Sequence, residues 1–188
     1  EYIAILDSDD RMKPNRLERQ LEFLQKNEKY AFVCTNAVMF NNSGDIIGYL
    51  SKNQSPSYLD VIRNKGFVYP TMMIKRRAFE DVEGYTVSNI TKTGEDYDLI
   101  CKLYYHEYKG TTISEYLYEY RVEDVYKRRP FTVYFNEYKV GISHVKARWF
   151  ELYGISNVKK IYIFLPILKG LIPQKLIQEY HKIKFKKM

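Results

Sequence analysis

Tyr2-Ile3-Ala4-Ile5-Leu6-Asp7-Ser8-Asp9-Asp10 runs from five apolar residues straight into an acidic turn. The apolar run is short and suits a buried strand. A strand end followed by a tight turn places Asp7 and Asp9 side by side at the C-terminal edge of a sheet, where ligands bind in open α/β folds. Two carboxylates that close repel each other unless a cation sits between them. Mg²⁺ or Mn²⁺ suits oxygen ligands and takes one or two carboxylates plus substrate phosphates. For an isolated D-x-D-D, a solvated turn with Asp10 capping the next helix is the better reading. The strand pattern before it shifts the balance toward a metal–diphosphate site. An EF-hand is disfavoured, because the required glycine and terminal glutamate do not follow.

Outward from this segment, strands and helices alternate. Pro14 suits a first helical turn, and Leu17, Leu21 and Leu24 share one helix face. Tyr30 to Phe40 reads as a strand, Asn41 to Asp45 as a turn, and Ile46 to Leu50 as a short strand. Ser55-Pro56 reads as the cap and first residue of a helix through Tyr58, Val61 and Ile62. Pro70 to Ile74 is a strand, Arg76 to Val82 a short helix, and Gly84 to Thr93 a polar, mobile loop. Thr111 to Ser114 and Leu117 to Arg121 read as two strands. Phe135, Tyr138, Ile142, Val145, Trp149 and Leu152 mark a long helix closed by Gly154. The alternation predicts an α/β domain.

A second acidic pair, Glu95 and Asp96, falls at a loop-to-helix junction before Leu99, Ile100 and Leu103. The helix macrodipole favours the ionised form there. A carboxylate beside an acceptor hydroxyl can act as general base, although a capping role is the commoner use of such an acid. Asp98 is the weaker candidate, expected to face solvent or to complete the first turn.

Hydrophobic residues make up 45% of the 188 and charged residues 28%, which excludes a disordered or collagen-like chain. Two cysteines, Cys34 and Cys101, exclude a disulfide scaffold and read as reduced thiols. The net charge of +7 is localised: residues 159–188 hold eight lysines and one acid, Glu179, while the remainder has 22 residues of each sign. A nucleic-acid binder would spread basic residues over a folded face, so no nucleic-acid partner is expected. Ile161 to Leu168, interrupted by Pro166, is far short of the roughly 20 residues that span a bilayer. From Pro173 onward Leu176, Ile177, Tyr180 and Ile183 share a face, ringed by Lys175, Lys182, Lys184 and Lys186. The pattern fits an anionic membrane surface and, equally, a helix packed on the domain with a solvated lysine face.

The two acidic clusters, in this order, carry a resemblance. Tyr2 to Asp10, with Pro14-Asn15-Arg16-Leu17 after it, resembles the metal-binding centre of family 2 (GT-A type) glycosyltransferases. Val82-Glu83-Gly84-Tyr85 resembles the family's Gly-Gly-Phe turn, and Gly94-Glu95-Asp96-Tyr97-Asp98-Leu99 resembles its Glu-Asp motif. Tyr120-Arg121 resembles the Tyr-Arg that closes many of these domains. The resemblance is strongest to bacterial enzymes of cell-surface polysaccharide synthesis. It implies a partial GT-A domain, a Rossmann-like nucleotide-diphospho-sugar transferase fold, with a helical C-terminal tail. The expected divisions are the GT-A portion over 1–125, a helical extension over 126–157 and a basic amphipathic tail over 158–188.

The resemblance further implies that Asp7 and Asp9 engage a nucleotide-sugar and its Mg²⁺ or Mn²⁺, with Asp9 in direct metal contact. Asp10 would orient the donor sugar or its partners. Asp96 would deprotonate the acceptor hydroxyl, with Glu95 beside the acceptor, in an inverting single displacement. The acceptor would be a glycan or lipid-linked, and the protein cytoplasmic, peripheral on the inner face of the membrane. Two departures stand against the pattern. The nucleotide-binding half with its Pro-Thr-Tyr-Asn-like motif is not in this sequence, which opens on Glu1, so the chain reads as a fragment expected to be inactive alone. Val122-Glu123-Asp124-Val125 follows Tyr120-Arg121 where many relatives have a histidine, and His106, His144 and His181 read as surface residues. The alternatives are an inactive remnant or membrane-associated interaction module and, on weaker grounds, a Mg²⁺-dependent phosphotransferase using Asp7 as nucleophile.

Overall fold

Nine residues, Phe32–Phe40, form the central strand of a mixed sheet, and their alternation explains its two covered faces. In this computed structural model the described residues are 1–52, 54–62, 64, 66–122, 129–147, 164–177 and 179–180. Among them the strands are β1 (Tyr2–Ala4), β2 (Arg11–Met12), β3 (Phe32–Phe40), β4 (Ile46–Leu50), β5 (Met73–Lys75) and β6 (Gly110–Arg121). The helices are α1 (Arg16–Lys26), α2 (Tyr58–Ile62), α3 (Arg76–Asp81), α4 (Glu95–Tyr105), α5 (Phe131–Ala147) and α6 (Leu165–Leu171). Strand order is β1-β5-β3-β6-β2, with β4 beside β5 on the same edge of β3. The β3–β6 pair is parallel and the other described pairs are antiparallel.

Successive side chains of a strand point to opposite faces. Phe32 and Cys34 pack with Leu99, Ile100 and Leu103 of α4 and with Val61, Ile62 and Val140. Val33 points the other way, to Leu24 of α1 and Met73. Helix α1 thus covers one face and α2 to α5 the other, the layered arrangement expected of an α/β domain. Gly110 sits where a Cβ would stand 2.1 Å from the Phe32 ring, so glycine is what lets β6 lie against β3 there.

Several expectations are corrected. β1 is an edge strand, not a buried one: Ala4 is exposed, Leu6 is 46% exposed, and Tyr2 and Ile3 are half-buried. Helix α1 forms as predicted, but its buried stripe is Arg16, Gln20 and Leu24, while Leu17 faces solvent. Arg16 and Gln20 can be buried because the main chain satisfies them. The Arg16 guanidinium donates to Gln20 Oε1 at 2.9 Å and to the Ile5 carbonyl at 2.8 Å. The Gln20 amide donates to the carbonyls of Val33 and Thr71.

The cap of α2 is Ser57, not Ser55: Ser57 Oγ accepts from the Asp60 amide, and Asp60 accepts from the Ser57 amide, a reciprocal box. Pro70 to Ile74 divides into a 3₁₀ turn at Tyr69–Thr71 and then β5. The two strands expected over 111–121 are one, β6, in which Thr35 pairs with Ile113 and Asn36 already with Tyr116. The extra residues bulge, and the Asn36 side chain donates to the Ser114 carbonyl across the break. The 84–93 loop is knitted around buried Thr91, whose side chain bonds Thr86 and Ser88. Trp149, Leu152, Gly154, Glu123, Asp124, Val125, His181, Lys182, Ile183, Lys184 and Lys186 lie outside the described residues.

Candidate active site

The acidic turn owes its position to topology. β1 and β2 lie at opposite ends of the strand order, yet only the six residues Ile5 to Asp10 join them. The turn therefore crosses the sheet, and it is fastened as it does so. The Asp10 amide donates to the Asp7 carbonyl, closing the turn. The Asp7 amide donates to the Tyr118 hydroxyl at 3.2 Å. Asp10 Oδ1 accepts from the Arg121 amide at 2.6 Å, and the Arg121 side chain donates to the Asp9 carbonyl at 2.8 Å and to Asn42 Oδ1 at 3.2 Å. Tyr120-Arg121 thus latches the turn to the end of β6. Beneath it the Arg16 guanidinium lies 4.9 Å from the Tyr118 ring and holds the Ile5 carbonyl, two residues before Asp7.

Opposite this turn stands the N-terminus of α4. Gly94 caps it, and Glu95, Asp96 and Asp98 occupy its first turn. Three anchors fix the helix. The Tyr97 hydroxyl donates to the Ile62 carbonyl at 2.7 Å, Lys102 binds the Gly84 carbonyl, and Asp98 Oδ1 meets His144 Nε2 of α5 at 2.8 Å. Asp98 completes the first turn, one of its two expected places, and does not face solvent; His144, expected at the surface, is not there, their side chains being 9% and 12% exposed. His106 is exposed as expected.

Asp7, Glu95 and Asp96 line one cleft of about 680 Å³, with Lys52, Lys92, Tyr120 and Arg129 also on its wall. The electrostatics record the approach of segments almost ninety residues apart in sequence. Burial raises the Asp96 carboxyl to about 6; the charges of Glu95 and Asp7 add to the rise, and the hydrogen bond from Tyr85 opposes it. Asp7 is raised by burial and by Asp10, Asp9 and Glu95. Asp10 is raised by burial, against the pull of the Arg121 amide, and its Oδ2 is buried with no hydrogen-bond partner. Asp9 is exposed and, like Asp10, is not on the cleft wall. Of the five sequence candidates the structure thus brings Asp7, Glu95 and Asp96 together.

Sequence reasoning missed Tyr85 as a partner of Asp96, the cleft cations Lys52, Lys92 and Arg129, and the Asp98–His144 pair. Tyr85 closes the Val82–Tyr85 turn, and its hydroxyl is the available signal. Among the described residues no group of three or more His, Cys, Asp or Glu side chains is arranged to hold a metal ion unaided. The two cysteines are free and buried, and burial pushes the Cys34 thiol up to about 12.

Residues 1–83 match the family model for glycosyl transferase family 2. The putative glycosyltransferase EpsE of Bacillus subtilis (strain 168) is 28% identical over 183 residues, which is 97% of this chain and 64% of EpsE. The putative teichuronic acid biosynthesis glycosyltransferase TuaG of the same organism is 26% identical over 179 residues, 93% of this chain and 65% of TuaG. The chain therefore spans just under two thirds of the length of these relatives. The crystal structure of S. aureus TarS 1-349 in complex with UDP superposes with a TM-score of 0.56 at 17% identity, over 89% of this chain and 46% of that one. At that identity the likeness speaks for the fold alone. Mixed sheet, helical layers, acidic turn and relatives point the same way: residues 1–83 are similar to the family 2 glycosyltransferases, and the fold is like that of TarS.

Proposed function

We propose that the protein transfers a sugar from a nucleotide-diphospho-sugar to a hydroxyl of a glycan or lipid-linked acceptor, in the synthesis of a cell-surface polysaccharide. The observation that carries this reading is the facing of Asp7 and the Glu95–Asp96 pair across one cleft. Support for the donor class comes from TarS, whose structures hold UDP and UDP-GlcNAc. Support for the polysaccharide setting comes from the name of TuaG.

In this reading Asp96 takes the proton of the acceptor hydroxyl. Its elevated pKa makes it a stronger base than an ordinary carboxylate, while most of it stays ionised at neutral pH. The Tyr85 hydroxyl, 3.0 Å from Oδ1, fixes its direction and leaves the second oxygen for the acceptor. Glu95 stands beside the acceptor. Attack is a single displacement with inversion, since no carboxylate is assigned a covalent intermediate. Lys52, Lys92 and Arg129 lend the cleft positive charge toward the diphosphate.

The acidic turn fits Mg²⁺ or Mn²⁺. Its donors are all carboxylate oxygens; burial raises Asp7 most, and the repulsion from Asp10, Asp9 and Glu95 that adds to it is what a dication relieves. Asp7 and Asp9 would hold the ion, substrate phosphate and water completing its shell, and Asp10 would set the turn through Arg121. When bound, the ion supplies charge stabilisation at the departing diphosphate.

The test is calorimetric titration of the chain with UDP, with and without Mn²⁺. The expected result is UDP binding that strengthens at least about ten-fold with Mn²⁺ and is lost in Asp7→Asn. UDP binding indifferent to both Mn²⁺ and Asp7 would overturn the assignment of the turn.

A further inference from the structure

We propose that α6 and the helical residues after it form a docking face for an anionic membrane surface. The proposal stands on this face alone and is independent of the chemistry assigned to the cleft. Helix α6 has a fixed orientation. Gly170 is buried on α5, where a Cβ would stand 2.8 Å from the Phe131 ring and 3.2 Å from Tyr134 Cβ. Leu165, Pro166 and Ile167 are half-buried. Large apolar side chains of this segment stay exposed: Leu168 is 53% exposed, Leu171 64%, Leu176 61% and Tyr180 61%. Four large exposed apolar side chains within thirteen residues mark a candidate interaction surface.

Charge selects the occupant. Lys169 and Lys175 lie among these residues in the chain, and residues 159–188 hold eight lysines against Glu179 alone. A second copy presenting the same face would bring two segments of like charge together, which is unfavourable. An anionic lipid surface offers an apolar interior and a charge of the opposite sign. Among the described residues no helix is long and apolar enough to cross a membrane, so the face lies in the interface rather than through it.

Helix α5 connects this face to the cleft. Val133 and Glu137 line the cleft, while Phe131 and Tyr134, neighbours on the same helix, carry α6. The docking face therefore stands about one helix diameter, roughly 10 Å, from the cleft wall. A lipid-anchored molecule held at the surface would be presented near that wall.

The experiment is sedimentation of the 188-residue chain with phosphatidylglycerol-containing vesicles and with pure phosphatidylcholine vesicles. At an ionic strength of about 0.05 M the chain should bind the anionic vesicles at least about ten-fold more tightly, and the difference should shrink at about 0.5 M, where charges are screened. The double substitution Leu168→Glu and Leu171→Glu should reduce binding about ten-fold or more while leaving the circular dichroism spectrum and Tm unchanged, since both side chains are mostly exposed. Equal binding to both vesicle types would overturn the proposal. So would a dimer, seen by light scattering and dissolved by the double substitution, in a chain that does not sediment with either vesicle.

Discussion

The Tyr85 hydroxyl donates to Asp96 Oδ1 at 3.0 Å, joining the turn after α3 to the first turn of α4. This bond favours the ionised carboxylate and opposes burial, which raises the carboxyl to about 6. Tyr85→Phe removes the opposing force and keeps the ring against Phe79. The Asp96 pKa should then rise by a further half to one unit or so. Titration of the Asp96 carboxyl carbon by NMR in both chains checks this. An unchanged or lower value would show that the hydroxyl does not control the charge.

Asp96 should also cost the fold stability at neutral pH. A carboxyl whose folded pKa stands above its unfolded value binds more protons in the folded state between the two values. Stability therefore falls as pH rises from about 4 to about 6, and remains lower above. Asp96→Asn removes the charge and keeps an oxygen for Tyr85. It should be more stable than the parent by up to about 3 kcal/mol near pH 8, with little difference near pH 4. Urea unfolding at the two pH values reads this directly. A destabilised Asp96→Asn at pH 8 would contradict the burial of a repelled charge.

Much of this arrangement is legible in the sequence, because apolar periodicity and turn chemistry are local. The apolar residues of β3, the Asn41–Asp45 turn and the capped run that becomes α4 each declare their own structure. The two acidic clusters are legible as well, being short strings at element ends. What the sequence hides is partnership. Arg16 and Gln20 look like solvent-facing residues of a helix whose leucines point inward, because nothing local shows that carbonyls of Ile5, Val33 and Thr71 await them. Glu115-Tyr116 looks like a break between strands, because a bulge satisfied by Asn36 cannot be seen without the neighbouring strand. Asp98 and His144 are separated by 46 residues, and each alone reads as a surface group.

Arg16 illustrates how a buried charge can be tolerated without an acid. Among the described residues no carboxylate is its hydrogen-bond partner; it binds Gln20 Oε1 and the Ile5 and Met72 carbonyls and lies over the Tyr118 ring. Arg16→Met would take the guanidinium from Gln20 Oε1 and the Ile5 carbonyl, while the Met72 carbonyl keeps the Ile5 amide, at a cost of about 2–4 kcal/mol. Arg16→Lys should recover little, because an ammonium cannot reproduce the planar fork between Gln20 and Ile5. Because Ile5 leads into Asp7, both variants should also weaken Mn²⁺ binding at the acidic turn. Urea unfolding and Mn²⁺ titration test the two effects separately. Full stability in Arg16→Met would mean that the carbonyls find other donors.

The Asp98–His144 bond ties α4 to α5 and should contribute stability that depends on pH in the opposite sense to Asp96. Burial alone would raise Asp98, but the hydrogen bond from His144, together with Thr86 and the nearby Lys102 ammonium, outweighs it and holds the carboxyl below its ordinary value. A depressed folded pKa contributes stability above the unfolded value, near 4, and that contribution is lost as pH falls through the folded value. His144→Ala removes the partner of a carboxylate that is 9% exposed and whose Oδ2 is already unpartnered. The loss should be about 2–4 kcal/mol at neutral pH and smaller in acid, where Asp98 takes up a proton. His144→Gln, which can still donate to Oδ1, should restore part of it. Because α4 also carries Asp96, the alanine variant should broaden the NMR signals of residues 95–98, and the glutamine variant should sharpen them again. A loss of equal size at every pH, or no rescue by glutamine, would mean that His144 acts by filling space rather than by holding the charge of Asp98.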